Sequence, residues 1–167
     1  MRKTIHRPCG TWEIVVAGLI LAAAAPPIPA DAGDREPQAV AVTILGIHAT
    51  NEEKPHVDPA LAPIAEHLKR YEFNSFRLVV RETRSVALGK QWELPMREGY
   101  CRRVRPTGTD EQRVKMEVAW VQYVKGEDGR RKEHVRERMV LFLGKGKYLL
   151  TAVRLKKGAL VAAIAAK

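Results

Sequence analysis

Cysteine is nearly missing from this chain. Of 167 residues only Cys9 and Cys101 carry a thiol, and Cys9 lies before the one long apolar run. A domain that starts after that run holds a single cysteine and no internal disulfide, so its core must hold it together. Cys101 reads as a small buried strand residue, with an intermolecular bridge as the alternative. Catalytic signatures are missing too. There is no G-x-S-x-G elbow, and Ser75 and Ser85 have no histidine near them in sequence. Cys101 stands between Tyr100 and Arg102 without a diagnostic pattern, and the acidic residues are scattered among more numerous bases. No internal repeat and no low-complexity tract occurs outside the N-terminal segment.

Long hydrophobic runs are scarce as well. The longest is Ile14 to Ala25, which follows Arg2, Lys3 and Arg7 and precedes Pro26-Pro27-Ile28-Pro29-Ala30-Asp31-Ala32. A positive start, a short apolar stretch and an A-x-A site make up a secretory signal peptide over residues 1–32, cleaved near Ala32. The run is shorter than the roughly 20 residues that cross a bilayer; an uncleaved membrane anchor is the alternative. Export to the periplasm or the medium is the expectation. Residues 33–38 form a polar leader, and residues 39–167 a single β-rich domain.

Within that domain the period of apolar residues is mostly two. Ala39 to Ile47 reads as a buried strand. Asp58-Pro59 opens a helix: a carboxylate can cap orphan N–H groups, and proline suits the first helical position. Leu61, Ile64, Ala65, Leu68 and Tyr71 then trace one stripe, predicting a helix over 58–71. Phe73 to Leu88 returns to strand, Gln91 to Leu94 is a short edge strand limited by Pro95, and Tyr100 to Arg105 is a strand stopped by Pro106. Arg113 to Leu143 is a long hairpin. Asp128-Gly129 supplies a two-residue turn, which pairs Val118 with Met139, Met116 with Leu141 and Val114 with Leu143. The same register sets Ala119 against Arg138 and Val121 against Arg136. Tyr148 to Leu155 and Ala159 to Ala166 are the last strands. The expected fold class is mainly β (α+β): an antiparallel meander or small β-sandwich with one helix near its N-terminal end. An exposed edge at the first or last strand would offer a place for another chain to pair.

The spacing Asp58-Pro59-x-Leu61, Leu68, Phe73-x-x-Phe76-x-Leu78, Glu82, Leu88-Gly89, Leu94-Pro95 and Pro106, closed by Gly158 to Ile164, resembles a group of small exported bacterial proteins. The resemblance spans about residues 40 to 166. It implies one β-rich domain behind a signal peptide, and it implies no activity, because none is known for the group.

Three chemistries fail on spacing. The metal-ligand candidates His48, His56, Asp58, Glu66 and His67 do not cluster: Asp58 serves as a cap, and adjacent Glu66 and His67 point about 100° apart on a helix. Gly144-Lys145-Gly146-Lys147 lacks the phosphate-loop spacing and joins strand to strand, so no helix N-terminus follows it. An RNA-binding sheet would carry an RNP1-type aromatic motif, and none is present. The expectation is therefore a non-enzyme with no metal and no cofactor, implying no small-molecule substrate.

What is abundant is positive charge. Lysine and arginine number 29 against 19 acids, a formal charge of +10. The bases crowd the second half: Arg102-Arg103-x-Arg105, Arg113, Lys115, Arg130-Arg131-Lys132, Arg136, Arg138, Lys145, Lys147, Arg154 and Lys156-Lys157. With Tyr123 and Phe142 among them, a basic sheet face centred on Arg131, Arg136 and Arg138 could bind a polyanion or a membrane surface. A plainly solvated face explains the same pattern. Export makes nucleic acid an unsuitable partner. The leading expectation is a non-catalytic exported domain that acts by contact with an envelope protein or other envelope component; an anionic polymer is the alternative partner.

Overall fold

A computed structural model describes residues 38–167. The expected signal peptide, its alternative as an anchor, and nearly all of the polar leader lie outside the described residues. The domain is mainly β, with two sheets and one short helical segment.

The strands are β1 (Ala39–Thr50), β2 (His56–Val57), β3 (Ser75–Ala87), β4 (Trp92–Pro95), β5 (Tyr100–Thr109), β6 (Arg113–Lys125), β7 (Arg131–Gly144), β8 (Tyr148–Arg154) and β9 (Ala159–Ala166). Sheet A runs β2-β3-β1-β9-β8, and sheet B runs β4-β5-β6-β7. Sheet B is the expected meander. Sheet A is not, because β9 returns to lie beside β1. The first and last described strands are therefore interior, and the sheet edges fall at β2, β8, β4 and β7 instead.

The two sheets stack as a sandwich. Val40, Val42 and Ile44 of β1 and Ile164 of β9 meet Val104, Val114, Met116, Val118 and Leu143 of sheet B. The opposite parity of β1 and β9 is apolar too. Leu45, Ile47, Ala49, Val161 and Ala163 lie under Leu61, Ile64 and Leu68 of the helical segment. The middle of sheet A, β1 and β9, is thus covered on both faces, which is why these two strands are apolar nearly throughout.

That helical segment is shorter than expected. Asp58 does cap it, accepting from the Ala60 N–H at 2.9 Å. Pro59–Ile64 is a 3-10 helix, followed by one α-helical turn, α1 (Ala65–Leu68). Pro63 has no N–H to donate back along an α-helix, and Ile64 departs to φ −123°, ψ 6°. The stripe survives as three buried anchors, not as a helix over 58–71.

The hairpin of β6 and β7 keeps the expected pairs Val114–Leu143, Met116–Leu141, Val118–Met139 and Ala119–Arg138. Its tip differs. Gly129 N–H bonds to the Gly126 carbonyl at 2.9 Å, and Gly126 N–H to the Arg130 carbonyl at 2.8 Å. The turn is therefore one residue longer than Asp128-Gly129 alone, with Gly129 at φ 73°. A bulge at Arg136 absorbs the extra step, so Val121 pairs with Val135 and not with Arg136. Similarly, β5 does not stop at Pro106; it continues to Thr109 past a register shift between Pro106 and Gly108.

Candidate functional site

The outer face of sheet B gathers side chains from all four of its strands. Arg103 of β5 forms a fork with Glu133 of β7, two bonds of 2.9 Å, and also bonds Glu93 of β4. The Tyr123 hydroxyl of β6 donates to Glu93 at 2.9 Å. Arg131 lays its guanidinium 3.7 Å from the centre of the Tyr123 ring. Paired forks and ring stacking fix these cations in place. The bond to Glu133 holds the Arg103 guanidinium well above its usual range, and Arg103 in turn keeps the Glu133 carboxyl below its own. Beneath this layer Cys101, Ala119 and Val121 are buried. Burial, then the nearby Glu93 charge, pushes the Cys101 thiol up, away from the reactive thiolate.

The three arginines singled out in the sequence are not one cluster. Arg138 stands opposite Ala119 and lines a hollow with Gln91, Arg103, Arg105 and Glu117. Arg131 caps Tyr123. Arg136, displaced by the bulge, donates to Gln122 Oε1 at 3.0 and 2.6 Å; Gln122 shares the parity of Trp120, the opposite side of the hairpin. Toward the far end of the face, Arg113 and Lys115 sit 5.7 and 5.8 Å from the centre of the Phe142 ring. Phe142 is 63% exposed and Val140 56%. The face therefore mixes cations, carboxylates and apolar groups, and is not a plain basic stripe.

Tyr123 was expected on the basic face; its carboxylate neighbours Glu93 and Glu133 were missed by sequence reasoning. Their signal was the cross-strand register: Arg103 pairs with Glu93 on one side and Ala119 on the other, which no single strand reveals.

Arg102, from the same basic run, goes the other way. It is fully buried on the inner face, 5.0 Å from the centre of the Trp120 ring. Its three guanidinium nitrogens have no hydrogen-bond partner among the described residues. Burial pushes its pKa down to about 10.

The metal-ligand candidates remain dispersed. His48 contacts Arg97 Nη1 at 3.2 Å and the Lys157 carbonyl at 3.3 Å, Glu66 pairs with Lys69 at 2.6 Å, and Asp58 caps the helical segment. Gly144 to Lys147 is the strand-to-strand reversal expected, with Lys147 N–H on the Gly144 carbonyl at 3.0 Å.

A groove of about 640 Å³ opens on the other sheet. Arg70, Tyr71, Glu72 and Phe73 form one wall, and Ala152 to Leu155 of the β8 edge the other.

Fold and surface together define a β-sandwich, antiparallel except where the two-residue β2 joins β3, with two enclosed central strands, one charged outer face and an open flank. Comparison with family models, with curated proteins and with solved structures finds no match.

Proposed function

We propose that this chain is a non-catalytic exported domain that acts by contact with a protein partner or other envelope component. The observation that carries the reading is the flank formed by β7 and β8. Each ends its sheet there, since among the described residues β7 pairs only with β6 and β8 only with β9, and β7 lies against β9 in the opposite sheet. A free row of backbone donors and acceptors at such a flank can take up an extended segment of another protein. Export rests on the N-terminal sequence pattern alone.

A second reading is favoured by the fixed cations of sheet B: a polyanion- or membrane-surface-binding module. Arg131, stacked on Tyr123, and Arg103, paired with Glu93 and Glu133, are held in place before any ligand arrives, which lowers the ordering cost of binding. Carboxylates interleaved with them argue for a shaped anionic group over a uniform polymer.

One experiment separates the two. The full-length chain, expressed through its own export signal, is used to capture material from its host's envelope fraction at low salt and at about 0.5 M salt, where exposed charges are screened. A protein retained at high salt supports the contact reading. Anionic material lost at high salt, and lost also when Arg131, Arg136 and Arg138 are all changed to Gln, supports the second. Capture of nothing at either salt removes both.

A further inference from the structure

Four strands end the two sheets, and three of them are guarded. β2 has two residues; β4 has four and closes on Pro95. β7 carries the Arg136 bulge and a charged first half, Arg131 to Arg138. Short length, proline, bulges and charge are the devices that stop edge strands from pairing. β8 has no proline and no bulge, and its charges fall only at its ends. It pairs with β9 in unbroken register through seven residues, Tyr148 to Arg154, and its first six carry no charge and no proline.

The outward groups of β8 can be assigned. Leu155 N–H bonds to the Gly158 carbonyl of the β8–β9 hairpin at 3.1 Å. Alternation along an antiparallel ladder then turns Val153, Thr151 and Leu149 toward β9. Tyr148, Leu150, Ala152 and Arg154 direct their N–H and C=O groups away from the sheet. Tyr148 and Leu150, like Tyr71 and Phe73, pack against the core cluster of the helix-covered face, and Ala152 and Arg154 border the 640 Å³ groove. An added strand would find side-chain room beside its backbone partners.

Charge selects the occupant. Lys145 and Lys147 precede the apolar stretch, and Arg154, Lys156 and Lys157 follow it. None of these five takes part in an ion pair among the described residues. A second copy paired antiparallel through β8 would bring Arg154, Lys156 and Lys157 against Lys145 and Lys147 of its neighbour at both ends, a repulsive arrangement. We infer that the β8 edge receives an extended segment of a partner protein, apolar at alternate central positions and carrying carboxylates at both ends. This rests on the contact reading above and names its site.

Ala152→Pro tests it. The Ala152 amide faces the open edge and its side chain is exposed, so proline there removes no bond to β9, and edge positions tolerate proline. The probe is a fluorescein-labelled peptide, Asp-Glu-Thr-Val-Thr-Val-Thr-Glu-Asp, titrated against the full-length chain by anisotropy. Expected are saturable binding, a loss of at least about tenfold in Ala152→Pro, the size of one forfeited strand hydrogen bond, and a melting temperature within a few degrees of the parent. A peptide N-methylated at alternate residues should lose binding to the unaltered chain as well, a check that does not depend on the variant folding. Equal binding by Ala152→Pro and parent overturns the inference, as does no saturation by about 1 mM, below which even weak peptide recognition registers. A parent dimer that Ala152→Pro dissociates in sedimentation also overturns it, by placing a second copy on the edge. In the envelope capture, a partner retained equally by Ala152→Pro ends this inference and leaves the contact reading standing; no partner at all ends the contact reading.

Discussion

β9 and β7 belong to the same sandwich and could hardly be less alike. All eight residues of β9 are buried, whereas of the fourteen in β7 only Leu143 is. The difference is one of position. β9 lies between β1 and β8, with sheet B on one face and the helical segment on the other. β7 ends its sheet and shows one face to water. A strand enclosed on two faces can use small and branched apolar residues throughout, while an outer strand must alternate and may carry charge. Stability should therefore reside in β9, leaving β7 free to vary. Ile164, fully buried between the sheets, should cost about 3 kcal/mol when cut to alanine, the usual loss for a core isoleucine. For a domain of this size that lowers the melting temperature by about 10 °C. Phe142→Ala, removing a larger side chain that is 63% exposed, should cost under about 1 kcal/mol. Thermal denaturation of both variants decides the matter; comparable losses would mean that the outer face of β7 is structural.

The same contrast is compressed into two adjacent residues of β5. Arg103 points outward and is paired three ways; Arg102 points inward and has, among the described residues, the Trp120 face and the charge of Glu137 but no hydrogen-bond partner. Burial without hydrogen bonds penalises the protonated guanidinium, and its pKa is pushed down to about 10. The sign follows directly. A base that holds its proton less tightly when folded opposes folding at every pH below that value, and the opposition relaxes only as pH rises toward the ordinary arginine range. Arg102→Met keeps the stem and removes the charge. It should stabilise the domain by about 2 kcal/mol at neutral pH, net of the lost contact with Trp120. A fall in melting temperature instead would show that the buried charge is compensated.

The legible and illegible parts of this molecule divide along similar lines. The strands, the parity of β6 and the pairing of Val114, Met116 and Val118 follow from local alternation. The run Arg102-Arg103-x-Arg105 reads as one basic group, and the structure splits it, burying Arg102 and turning Arg103 outward. Local alternation does not reveal that Pro63 converts a helix into a 3-10 turn and a single α turn, although Pro63 itself was the warning. Nor does it reveal the bulge at Arg136, because a turn of one more residue changes the register by a step that β7, charged on both sides there, does nothing to forbid. Lost with that step was the expectation that Arg136 and Arg138 share a face. The Glu93–Arg103–Tyr123–Glu133 cluster needed the order β4-β5-β6-β7 before it could be seen. The strand order of sheet A, with β9 beside β1, was illegible for the same reason: long-range pairing leaves no mark on either strand alone.

That outer cluster offers the finest test of what holds the exposed side of the sandwich. Arg103 joins three strands through Glu93 and Glu133, but Glu133 is open to solvent, so screening limits what the pair contributes. Arg103→Gln should cost about 1 kcal/mol at neutral pH, less than either core change above. Its pH dependence is the more telling readout. Arg103 holds the Glu133 carboxyl below its ordinary range, and a carboxyl with a depressed folded pKa stabilises above its unfolded value and ceases to do so as pH falls through its folded one. The gap in melting temperature between parent and Arg103→Gln should accordingly be fully open near pH 6 and narrow as the solution is acidified below the ordinary carboxylate range. A gap that stays constant to pH 3 would mean that Arg103 acts by covering Cys101 and Val121 with its stem, and that the charge pairing on this face is incidental.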